Sequence, residues 1–187
     1  MSKSRAKIIE TAIQVLSLDE SASLEDIAVA AGVSRMTLHR NFRNRETLFK
    51  EIHESLIQHT LSIIQQAKQK YEHPIEQMEE IMKANAGEKG FVLLMKENKE
   101  HEDHDPNSCQ FSEVNKELRE LIQNLRRVGY ISQGTPDSWV LHMYDGILFT
   151  AWETMYNGSV APKEIPNLSW NTFKNGLLVD DNSKRFI

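Results

Sequence analysis

The chain has 187 residues, 40% of them hydrophobic, and a formal net charge of -5: enough for a real core in one compact unit, or in a small head on a larger body. The acidic balance excludes a general nucleic-acid coat, and no apolar run approaches the roughly 18 residues that a bilayer-spanning helix needs. A lone cysteine, Cys109, excludes an internal disulfide, and the start MSKSRAKIIETA lacks the apolar core of a signal peptide, so the chain reads as cytoplasmic.

The expected fold class is all-α, because apolar residues recur at helical spacing throughout and no strand alternation is visible. Ile8, Ile9, Ala12, Ile13 and Leu16 predict a first helix over about residues 4 to 17. Ser23 precedes Leu24 with Asp26 three residues on, a variant of the capping box that starts a second helix with Ile27, Ala28 and Ala31 inside. Gly32 supplies a left-handed turn, and Ser34 caps a third helix whose buried face is Leu38 and Phe42. Asn44 caps a long fourth helix, about 45–70, that leaves the head and enters the body. His73-Pro74 interrupts the chain before a helix carrying Ile75, Met78, Ile81 and Met82. Residues 97 to 110 read as a loop, after which Ser112 is expected to cap an amphipathic helix stopped by Gly129. Thr135-Pro136-Asp137 starts a very apolar helix, with proline at its first position, running to about Asn157. A last helix is expected over about 167–178. This divides the chain into a head, 1–48, with three helices and a helix-turn-helix, and a larger helical body, 49–187.

The head carries the chemistry. Residues 1–50 hold eight Lys/Arg against six Asp/Glu, whereas the remainder holds fourteen against twenty-one. The basic residues crowd toward the third helix, and a local basic face is what phosphate contact requires. If Leu38 and Phe42 face inward, then Arg35, Met36, Thr37, His39, Arg40 and Asn41 project outward. A helix-turn-helix puts such a helix into the DNA major groove by its N-terminal end. There Arg35 can reach guanine edges and Met36 thymine methyl groups, while Thr37, His39 and Arg45 suit phosphate oxygens and the helix start at Ser34 adds backbone donors.

The stretch Ile27 to Leu48, IAVAAGVSRMTLHRNFRNRETL, closely resembles the head of TetR family transcriptional regulators, loosely IA..AGVS.GTLY.YF..KE.L. The similarity is recognisable over about residues 5 to 55, and beyond that it is one of architecture. Scaffold positions agree. Met36 stands where the family usually has glycine, His39 where it has tyrosine, and Leu16 where phenylalanine is common. Arg40 and Asn41 occupy positions that are often aromatic or variable, so the operator sequence is expected to be this chain's own.

The resemblance implies a homodimer formed by the last two helices, a palindromic operator and a small-molecule inducer held in the body. The apolar residues of the helix after Pro136 surround much of its circumference, so it needs partners on more than one side. Dimer candidates are Trp139, Val140, Met143, Ile147 and Ala151 on that helix, and Trp170, Phe173 and Leu177 on the last. Ligand candidates are Phe91, Leu94, Met95 and Phe111, then Tyr144, Phe149 and Trp152, a set rich in aromatics and methionine that suits an apolar or aromatic molecule. His142 and Asp145 lie within the same apolar helix and could orient a ligand, since a buried carboxylate needs a partner.

The cluster His101, Glu102, His104 and Asp105, with Cys109 nearby, has metal-ligand residue types, but a loop does not set its two histidines one helical turn apart. No metal and no cofactor are expected. No nucleophile elbow, phosphate loop or HExxH pattern supports an enzyme. The expectation is a ligand-responsive repressor with double-stranded DNA, an inducer and a second copy as its partners. The alternative is a DNA-binding adaptor governed by a protein partner.

Overall fold

The computed structural model describes residues 3–88, 90, 93 and 111–179, with the backbone alone of 111 and 112. Its eight described helices are α1 (Lys3–Leu18), α2 (Leu24–Ala31), α3 (Arg35–Asn41), α4 (Arg45–Lys70), α5 (Pro74–Ala86), α6 (Phe111–Arg127), α7 (Asp137–Tyr156) and α8 (Ile165–Leu177). No strand occurs among the described residues.

Local sequence sets the turns of the head. The Ser23 hydroxyl accepts from Asp26 N–H at 3.1 Å, and the Asp26 carboxylate accepts from Ser23 N–H at 2.8 Å, a complete capping box. These Ser23 hydrogen bonds hold the Asp26 carboxyl below the ordinary carboxylate range. Gly32 closes α2 at φ +66°, a left-handed conformation that a side chain would strain, and Val33 N–H reaches back to Ala28 C=O at 3.0 Å. Two residues later Ser34 Oγ accepts from Thr37 N–H at 3.2 Å and starts α3. Asn44 repeats the device for α4, accepting from Thr47 N–H at 2.8 Å.

α1 packs on α2 and α4, and α2 on α3. Ile8, Ala12, Leu16, Ile27, Ala31, Leu38, Phe42, Leu48 and Ile52 fill the space between them. At 26 residues α4 is about 40 Å long. Its first half belongs to the head core, and its second half carries Ile64 and Ala67 against the body. In the body α5 touches α4, α6, α7 and α8. Lys68 of α4 pairs with Glu117 of α6, and Arg126 of α6 pairs with Asp137 at the start of α7.

Three helix starts differ from expectation. α6 is already under way at Phe111, so Ser112 lies inside the helix and does not cap it. Pro136 is the residue before α7 and not its first helical residue. α8 begins at Ile165, two residues early, because Pro166 is accepted in a first turn, where its missing N–H has no partner to lose. Gly129 and Gly158 do follow helix ends, at φ +84° and +70°.

Candidate nucleic-acid interface

The capped turn at Gly32 and Ser34 fixes which side of α3 faces out. Leu38 is 1% exposed and Phe42 is fully buried, whereas Met36, large and apolar, is 82% exposed. Burying Met36 would favour folding by about 2 kcal/mol, yet the fold leaves it in water. Arg35, His39 and Arg40 are exposed beside it, as is Ser34. Thr37 is half-buried, with Oγ1 2.9 Å from the Ser34 hydroxyl. An open groove of about 610 Å³ adjoins this surface, lined by Ser21, Ser23, Leu24, Glu25, Arg35, His39 and Arg45.

Two expected DNA-facing residues have structural employment. Asn41 is half-buried, and its amide donates to Thr37 C=O at 2.7 Å, closing the end of α3. The Arg45 guanidinium donates to the carbonyls of Ala22 and Glu20 and lies over the Phe49 ring at 4.8 Å. In the free chain it therefore clamps the α1–α2 turn onto α4 rather than standing ready for phosphate. The separation of 23 and 25 residues between donor and acceptors hides that role from spacing arguments.

Two residues at this surface escaped sequence reasoning. Arg5 of α1 donates from Nη1 to Asn41 C=O at 2.6 Å and pairs with Glu51 of α4. Glu25 Oε1 lies 2.8 Å from Arg35 Nε, and Arg35 Nε donates to His39 Nε2 at 3.5 Å. Glu25 stands in the first turn of α2, where an acid is favourable whatever it faces, so its position alone does not single it out.

The body separates the remaining candidates by face. Val140 and Phe173 have no exposed surface within the single chain, and Ile147, Ala151 and Trp170 are also buried there. Within the single chain α7 and α8 pack on each other and on α5 and use these side chains internally. Trp139 remains 58% exposed on α7, Met143 is half-buried, Leu177 is half-buried, and Leu168, not among the candidates, is 50% exposed on α8.

Among ligand candidates, Tyr144 is buried, takes a hydrogen bond from the Asn85 amide at 2.9 Å and meets Phe173 edge-on. Burial pushes its hydroxyl well above the ordinary phenol range. Asp145, Phe149 and Trp152 recur at helical spacing on α7 and continue to Tyr156. Phe149 and Trp152 are 5.8 Å apart between ring centres, and Trp152 stacks on Tyr156 at 5.6 Å. Among the described residues no hydrogen bond reaches the Asp145 carboxylate. Burial raises that carboxyl to about 6, against the opposing pull of His142, which is exposed. The Phe111 side chain, and all of Phe91, Leu94, Met95 and the 97–110 stretch with His101, Glu102, His104, Asp105 and Cys109, lie outside the described residues. Among the described residues no group of three His, Cys, Asp or Glu could hold a metal, and no helix is long and apolar enough to cross a membrane.

Residues 8–52 match the model for bacterial regulatory proteins of the tetR family. No curated protein matches the chain in sequence. Among solved structures, the TetR-like transcriptional regulator LfrR from Mycobacterium smegmatis in complex with proflavine is similar, with a TM-score of 0.75 and 19% identity over 95% of this chain and 97% of that one. The fatty acid degradation regulator FadR from Bacillus halodurans has a TM-score of 0.70 and 15% identity over 95% and 97%. The ketosteroid transcriptional regulator KstR2 of Mycobacterium tuberculosis has the same score and identity over 96% and 97%.

Proposed function

We propose that the chain is a TetR family transcriptional regulator with its DNA-binding head at residues 8–52, and that it is a homodimeric, ligand-responsive repressor of the cytoplasm. It acts by binding and not by catalysis. The observation that carries the DNA-reading part is α3 itself: a capped helix locked by Leu38 and Phe42, with Met36, Arg35, His39 and Arg40 turned to solvent. Arginine and an apolar tip next to each other suit a guanine edge and a thymine methyl in the major groove.

A second copy is the natural cover for the large apolar groups left outside α7 and α8, Trp139 and Leu168. A two-fold dimer calls for a palindromic operator with half-sites about 34–36 Å apart, or a multiple of that spacing. The inducer we propose is a small aromatic or apolar molecule held in the body. The ring ladder Phe149, Trp152 and Tyr156 beside Asp145 supports this class, as does the fold shared with LfrR, seen with proflavine. Because α4 runs from the head core into the body, a ligand that prefers a different body conformation alters the head spacing. Ligand and operator then weaken each other by the same factor.

Selection of binding sites from random duplex DNA by the full chain tests this reading. Enrichment of a palindrome with half-sites about one or two helical turns apart is expected. Absence of any enriched sequence contradicts it.

A further inference from the structure

We propose that Glu25 positions Arg35 for base reading, so that this α2 carboxylate determines specificity at the DNA-facing surface; the inference rests on the DNA-reading role proposed above. Glu25 Oε1 lies 2.8 Å from Arg35 Nε. The Nε–H points along α3 to Nε2 of His39, 3.5 Å away, so the imidazole serves as acceptor there. Both contacts are made to Nε: its single hydrogen goes to His39, and Glu25 meets it as an ion pair. The two terminal nitrogens at the opposite end then form the fork that meets O6 and N7 of guanine.

The pair contributes little to stability. The Arg35 and Glu25 side chains are 72% and 50% exposed, and water competes with such contacts. Its influence on geometry grows when DNA expels that water, because the attraction between the two charges rises as the dielectric falls. An unrestrained arginine on a helix surface can turn to a phosphate as readily as to a base. A carboxylate beside Nε opposes the phosphate-bound rotamers and repels phosphate from that side. Glu25 thus lowers general DNA affinity and raises discrimination, which is specificity by a repulsive element. Glu25 would also favour the start of α2 electrostatically wherever its carboxylate pointed, but that role predicts no change in base preference.

The test uses the full chain and duplexes selected by the wild type. Arg35→Ala identifies the base pair that Arg35 reads, as the position where preference disappears. Glu25→Gln is then titrated against the selected duplex and against variants substituted at that pair. The ratio of affinities is expected to fall about five- to tenfold, a part of what one bidentate contact confers. Affinity for unrelated duplex stays equal or rises. Glu46→Gln removes an exposed acid from the first turn of α4 and is expected to leave the ratio unchanged. A wild-type ratio in Glu25→Gln overturns the proposal while leaving DNA reading intact, as do equal falls in Glu25→Gln and Glu46→Gln. If Arg35→Ala loses preference at no pair, the proposal is overturned too. If the wild type enriches no duplex, the DNA-reading role fails and takes this inference with it.

Discussion

Arg5 of α1 pairs with Glu51 of α4 through Nε, 2.8 Å from Oε2, while its guanidinium lies 4.6 Å above the centre of the Phe42 ring. The same group donates to Asn41 C=O at 2.6 Å, so one side chain joins the first helix, the end of α3 and the connector to the body. This half-buried site screens the pair less than open solvent would, and the planar fork serves several partners at once. Arg5→Ala is expected to cost about 1–3 kcal/mol, because Glu51 and the Asn41 carbonyl lose their donor. Urea unfolding should show a lower midpoint with an unchanged slope. Arg5→Lys keeps the charge but not the fork, and should recover less than half of the loss.

Gly90 lies against both α1 and α4. A Cβ there would stand 2.3 Å from Leu56 Cδ2 and 3.1 Å from Ile13 Cγ2. Leu56 is buried and cannot turn away without opening a gap elsewhere. Gly90→Val is expected to destabilise the chain by about 1–3 kcal/mol. In a double-mutant cycle Leu56→Ala should recover part of that loss, since the two changes share one space. Simple additivity in thermal or urea unfolding would contradict the contact.

Asp145 gives a pH dependence with a definite sign. Its carboxyl is raised by burial from 3.8 to about 6, so the folded chain holds this proton more tightly than the unfolded chain. The stability it contributes is present below about pH 4 and is lost as the pH rises through about 6. Asp145→Asn removes that loss. It is expected to stabilise the protein by about 1–3 kcal/mol at pH 7.5 and to have little effect at pH 4. Urea unfolding at the two values checks this, and equal effects at both would contradict it.

Much of the head was legible because its signals are local. Ser23 with Asp26, Gly32, Ser34 and Asn44 each act on a backbone group within three or four residues, and the structure uses all four as their types require. What escaped depends on contacts far apart in sequence. Arg45 looked like a phosphate ligand because basic residues surround it, but its acceptors are carbonyls of the α1–α2 turn. Val140 and Trp139 are adjacent and both apolar, yet one is sealed inside and the other exposed. Apolar residues around a whole helix show that it needs several partners, not which of them belong to the same chain. Glu25 illustrates the same limit, since an acid in a helix's first turn is favourable whatever it faces and its partner lies on another helix.

We propose above all that α3 reads DNA through its outward face. Fluorescence anisotropy with a labelled operator duplex, on wild type, Arg35→Ala and Thr37→Ala, tests it most directly when sedimentation velocity follows the oligomeric state of each protein. Both substitutions are expected to weaken operator binding about tenfold or more while the dimer persists. Wild-type binding isotherms for both variants would contradict it.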